Sequence, residues 1–176
     1  MIKEILIFLL IIILSFKIHS KNIVVVNIDK LISTNDQYIN IIKNIENDQN
    51  EMIIEFEITE QELSKRLSEI NKDKLILDEI ATNELIDKYN IDYEIFSKLV
   101  DSFNSHYQNQ IVAIRNKILQ ELIVLLENYA IINQIDLILD SNSYLIASNN
   151  ININELISKK LNKIDLKLDF ESFENN

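Results

Sequence analysis

Residues 36–77 read DQYINIIKNIENDQNEMIIEFEITEQELSKRLSEINKDKLIL. Apolar side chains return here at alternating three- and four-residue intervals, the spacing of a helix with one packed face. The pattern runs on to Gln134, and neither Gly nor Pro occurs anywhere in the 176 residues. Read as heptads, the outgoing seam is Ile42, Glu46, Gln49, Ile53, Phe56, Glu60, Leu63, Leu67, Ile70, Lys74 and Leu77. The return seam is Ile86, Tyr89, Tyr93, Phe96, Val100, Phe103 and Tyr107, then, after a shift of register, Ile111, Ile114, Ile118, Leu122, Leu125 and Tyr129. Two seams of similar length predict two antiparallel arms, a helical hairpin over residues 36–134.

Ser33, Thr34 and Asn35 supply capping side chains before the first arm. The reversal is expected between Ile76 and Glu84, where Asp78, Thr82 and Asn83 offer further caps and Ala81 is small. An arm of about 40 residues would project roughly 60 Å at 1.5 Å per residue. Glu62 with Arg66, Glu84 with Lys88, and Glu94 with Lys98 are acid-before-base pairs at helical spacing, each worth roughly 0.2–0.5 kcal/mol. Missing Gly and Pro alone would not establish helix, because abundant Ile, Asn and Lys also reflect AT-rich codons. The seams carry the argument.

Composition removes several function classes. The chain contains no Cys, so disulfides, zinc thiolates and thiol nucleophiles are excluded, and two His residues, His19 and His106, cannot form a histidine metal cluster. Without Gly there is no glycine-rich phosphate loop and no nucleophile elbow. No carboxylate pair sits in a pocket-forming pattern, so the chain is read as a non-enzyme with no cofactor, no metal and no small-molecule substrate. A net charge of −11 disfavours nucleic acid and anionic membrane surfaces as partners. The acidic run Glu46, Asp48, Glu51, Glu55, Glu57, Glu60 and Glu62 reads first as a solvated helix face.

Outside the arms, residues 1–20 carry Lys3, an apolar run from Ile5 to Leu14, and the small Ser20, the layout of a secretory signal cleaved after Ser20. An uncleaved membrane anchor is the alternative. Loss of Lys3, Lys17 and Glu4 with this segment takes the net charge from −11 to −12. Residues 21–35 and 135–163 are assigned to a β body. Ile23 to Ile28 is a β-branched strand, and Ile135 to Asp140 with Tyr144 to Ala147, joined by Ser141-Asn142-Ser143, is a β-hairpin. Residues 155–162 form a short closing helix with Leu156, Ile157 and Leu161 on one face. Residues 164–176, acidic and uncapped, are expected to be a disordered tail.

This order of parts, a strand ending in Val-Asn, a long hairpin, then Asp136-Leu-Ile-Leu-Asp140, Ala147-Ser-Asn149 and Ile153-Asn-Glu-Leu156, resembles the Skp/OmpH family of periplasmic chaperones. The resemblance implies an α+β fold in which three subunits form one small β-barrel body and three helical coiled-coil arms enclose a cavity for unfolded outer-membrane proteins. Physics favours oligomerisation independently, because a few short strands and one short helix make a small core with open strand edges. Ile23, Val25, Leu137, Leu139 and Leu145 are the expected trimer-body residues. The chain departs from the family in charge, being acidic where well-known members are basic.

The resulting expectation is a periplasmic homotrimeric holdase whose partners are itself and unfolded outer-membrane proteins. Apolar residues off the seam, Ile54, Ile58, Ile95 and Leu99, are the candidate client contacts. They serve equally well to complete a wider packed stripe. The alternative function is a structural coiled-coil spacer or membrane-tethered adaptor.

Overall fold

The computed structural model describes residues 22–174, so the expected signal segment lies outside the described residues. Strand β1 (Ile23–Val26) leads into helix α1 (Ile28–Ser33), then α2 (Asp36–Asp73) and α3 (Glu79–Asn133) form the hairpin. Strand β2 (Leu137–Asp140), two single 3-10 turns (Ser141–Ser143 and Asn149–Ile151) and helix α4 (Asn154–Leu161) follow. No helix among the described residues is long and apolar enough to cross a membrane.

The arms are built by local chemistry. Asn35 caps α2, its side-chain oxygen accepting from Tyr38 N at 3.0 Å, and its amide donates to Asn162 Oδ1 at 2.7 Å, tying the arm base to the end of α4. Asp78 caps α3 by accepting from Ala81 N at 2.8 Å. The reversal therefore occupies residues 74–78, earlier than expected, and Thr82 and Asn83 are already helical. At the far end Gln134 adopts φ 55° and ψ 45°, and the amides of Ile135 and Gln134 return to Ala130 O and Ile131 O. A left-handed residue there satisfies the last carbonyls, and with no glycine in the chain a glutamine takes a position glycine usually fills.

The hairpin seam differs from the heptad reading on α2. Ile41, Ile45, Leu63 and Ile70 are buried, with Tyr38, Ile42, Met52 and Phe56 half-buried, while Ile53 and Leu67 stay exposed. The stripe keeps the three-and-four spacing of the heptad and the predicted Ile42, Phe56, Leu63 and Ile70, but its other position falls one residue earlier, at Ile45 and Met52 instead of Glu46 and Ile53. Polar residues along it are bonded at three places: Asp48 to Tyr107, Thr59 Oγ to Glu55 O at 2.9 Å, and Arg66 to Asp92 at 2.5 Å. On α3, Phe103, Tyr107, Ile114, Ile118, Leu122 and Leu126 are buried. Tyr93 lies outside the seam, exposed and stacked on Tyr89 at 6.1 Å. Edge-to-face rings at 5.0–5.9 Å link Phe56 with Phe96 and Phe103, closing the middle of the hairpin.

The body corrects three expectations. First, the strand stops at Val26, because Asn27 turns the chain: its side chain accepts from Lys30 N at 2.8 Å and starts α1, whose Leu31 and Ile32 are buried. Second, β2 forms no hairpin with Tyr144–Ala147. It pairs in parallel with β1, Ile23 opposite Leu137 through Val26 opposite Asp140, and residues 144–147 are unpaired. The other edge of β1 meets the segment before α4, Ile153 N donating to Val25 O at 3.1 Å. In α4, Ile157 and Leu161 are buried but Leu156 faces solvent.

Third, the residues expected to be a disordered tail are packed. Leu166 is 3% exposed, and Ile164, Leu168, Phe170 and Phe173 are half-buried against the same core as α2 and α3. From α4 the segment climbs away from the strands along the hairpin, and the described part ends at Glu174.

Candidate functional site

The arms present two kinds of surface. Ile54 and Ile58 lie one turn apart on α2, about 200° around the helix from Phe56 and so turned away from α3; they are 58% and 53% exposed. Ile95 (62% exposed) and the half-buried Leu99 lie on α3 and line a cleft of about 350 Å³ with Met52, Phe56 and Phe96. The four candidate contacts therefore fall into two separate pairs, one outside the hairpin and one along its groove.

Sequence reading missed the arm tip. Leu75 and Ile76 are 87% and 85% exposed, and Ile80 beside them is also open to solvent. Their signal was visible: three large apolar residues at and just beyond the reversal, where a solvated turn has no use for them. Lys72 and Lys74 precede Leu75 and Ile76, and Asp78 and Glu79 separate those two from Ile80. Below the tip, Glu51, Glu55, Glu57, Glu60 and Glu62 are all exposed. The arm surface thus alternates isolated apolar side chains with carboxylates, a texture that stays soluble while offering repeated small apolar contacts.

The body presents a second apolar region. Leu145 and Ile146 are fully exposed, and Ile131, Ile132 and Leu137 are largely so. Among the five residues expected to form an intersubunit body, Leu137 and Leu145 are exposed, Ile23 is partly exposed, Leu139 is half-buried, and Val25 is buried within its own chain. Among the described residues the sheet contains only β1 and β2, so none of them forms a strand beside the outer edge of β2.

Two titratable groups reflect local architecture. Asp140 is held below the usual carboxylate range, chiefly because it accepts the amide of Ile28 at 3.0 Å, with Asn142 contributing as well. The Tyr107 phenol is pushed up by burial and by its hydrogen bond to Asp48. Among the described residues no group of three or more His, Asp or Glu side chains is placed to hold a metal ion.

The scaffold is similar to the crystal structure of an OmpH-like protein from Caulobacter crescentus CB15, described as an outer membrane chaperone. The TM-score is 0.63 over 89% of this chain and 93% of that one, at 10% sequence identity. At such identity the likeness is one of fold: the chain has a Skp/OmpH-like α+β fold, a long helical hairpin on a small sheet. Neither protein-family models nor curated proteins gave a match.

Proposed function

We propose that the chain is an exported holdase chaperone, cleaved after Ser20, that works in the periplasm as a homotrimer and keeps unfolded outer-membrane proteins from aggregating. The observation that carries the reading is the recurrence of exposed apolar side chains along the arms: Ile54 with Ile58, then Ile95, then Leu75, Ile76 and Ile80 at the tip, with exposed carboxylates on the stretch between. A holdase needs many weak contacts of this kind, because a client bound at one strong site could not be released without an energy source. The likeness to an OmpH-like protein described as an outer membrane chaperone supports the same role.

The trimer is supported by the body. Ile131 and Ile132 before β2, and Leu145 and Ile146 after it, expose large apolar groups at either end of a strand with an open edge, which in water favours association with further copies. Ile23, Leu137 and Leu139 would contribute at that junction. The test is direct: a urea-unfolded outer-membrane β-barrel protein is diluted into buffer with the mature chain, and turbidity is followed. Suppression of turbidity at about one trimer per client is expected. A chain that leaves aggregation unchanged is a spacer or adaptor, not a chaperone.

A further inference from the structure

Residues 164–171 read Ile-Asp-Leu-Lys-Leu-Asp-Phe-Glu, apolar and charged in strict alternation, and the apolar members face the hairpin. Two glutamines hold the segment by its backbone. Gln37 on α2 donates to Ile164 O at 2.6 Å and accepts from Leu166 N at 3.0 Å. Gln110 on α3 donates to Glu171 O and accepts from Glu171 N, both at 2.6 Å. His106 Nε2 lies 2.8 Å from the same carbonyl, Lys117 Nζ donates to Lys167 O at 2.5 Å, and Phe173 N donates to the Tyr107 hydroxyl at 3.0 Å. Phe173 ends on Phe103, ring centroids 5.5 Å apart.

These contacts read the main chain and the alternation, not the identity of the residues. The backbone turns once, at Lys167, where φ is 47°; for a segment that follows the same path, backbone hydrogen bonds supply affinity and apolar pockets at every second position select the pattern. The groove does not stop where the segment does. One turn beyond Phe103, on the face that carries Gln110 and His106, it continues as the cleft holding Ile95 and Leu99. Beneath the segment a further cleft of about 300 Å³ lies between α3 and residues 168–171.

We propose that the α2–α3 groove is a binding site for extended polypeptide with apolar side chains at alternate positions, and that residues 164–174 are a displaceable occupant of its body-proximal half. The pattern is that of a membrane-spanning β-strand, whose side chains alternate between lipid and lumen, so the inference rests on the chaperone reading and names the client segment it would take. As a tethered occupant the segment competes at an effective concentration on the order of millimolar, keeping the groove covered when no client is near.

The probe is a fluorescent peptide of the chain's own sequence IDLKLDFESFE, residues 164–174, measured by anisotropy against the full-length mature protein. Phe170→Asp with Phe173→Asp should release the segment and strengthen binding of the peptide in trans at least tenfold over wild type. Adding Gln110→Ala should remove that gain. A peptide of the same composition with the alternation scrambled should bind at least tenfold more weakly. Because the chain has no cysteine, Asp48→Cys with Ser172→Cys gives a reversible lock at a site where the native side chains meet at 2.8 Å. The oxidised lock should bar the peptide and the reduced form admit it, with both pocket phenylalanines intact.

Peptide binding that is equal in released, locked and wild-type chains, or absent from all of them at unchanged helix content, overturns the proposal. If aggregation suppression persists in that case, the chaperone reading survives it. If suppression fails in every form while the peptide still obeys the lock, the groove stands and the chaperone reading falls.

Discussion

The phenol of Tyr107 on α3 donates to the carboxylate of Asp48 on α2, and the same oxygen accepts the amide of Phe173, so one buried hydroxyl joins both arms and the C-terminal segment. Tyr107→Phe keeps the ring but leaves the Phe173 amide without its acceptor. A loss of roughly 1–3 kcal/mol is expected, since the bond involves a charged partner. The phenol's pKa is raised in the folded state, so its contribution is complete below the unfolded value of about 10 and is lost as pH rises through the folded value. Urea unfolding at neutral and strongly alkaline pH should show wild type losing stability across that window and Tyr107→Phe losing less.

Gln134 sits in the left-handed region that ends α3. A residue with a Cβ is disfavoured there, and Gln134→Gly should raise stability by roughly 0.5–1 kcal/mol, the reverse of what glycine does inside a helix. A shift of the urea midpoint downward would show that the side chain makes contacts outweighing the backbone cost.

Assembly and folding can be separated by two aspartates. Leu145→Asp places a charge on a side chain fully exposed in the single chain, so it should abolish the proposed trimer while leaving helix content intact. Val25→Asp places one in a strand buried within its own chain and should unfold the body, at a cost of several kcal/mol. Light scattering and circular dichroism on both variants decide it; a trimeric Leu145→Asp protein would remove this face from the interface.

Client binding should hold steady or strengthen between low and moderate salt. With a net charge of −11, or −12 for the proposed mature chain, and an exposed acidic run on α2, screening over a Debye length of roughly 10 Å at 0.1 M removes repulsion from an acidic client. The dissociation constant for one acidic outer-membrane protein across a salt series is the measurement, alongside Glu51, Glu55 and Glu57 changed to Gln. A steep loss of affinity with salt would instead place binding on Lys65, Arg66, Lys72 and Lys74.

The hairpin was legible because its signal is repeated many times over; single errors of register, such as choosing Glu46 and Ile53 in place of Ile45 and Met52, do not change the answer. The body was harder to read. Asn27 carries both strand-end and helix-cap meanings, and only the donor at Lys30 N settles which applies. Tyr144 to Ala147 has the composition of a strand, but among the described residues no strand edge receives it. The largest miss was residues 164–174. Their acidity suggested solvent, whereas the alternation, which puts every charge on one side, was the informative feature. Gln37 and Gln110 gave no advance sign, since a glutamine on a helix face is ordinary until a backbone lies against it.

Strands β1 and β2 are neighbours in space, yet the whole hairpin lies between Val26 and Leu137. Closing a flexible loop of that length costs roughly 4 kcal/mol in chain entropy before the first strand hydrogen bond forms. Once the arms have zipped from their reversal at Asp78, the effective loop shrinks to a few residues and the two strands are delivered side by side. The order of events follows: local helix pairing is fast and must come first, and the sheet forms late. Pairing that begins at the far tip of the arm is therefore expected to set when the body is built.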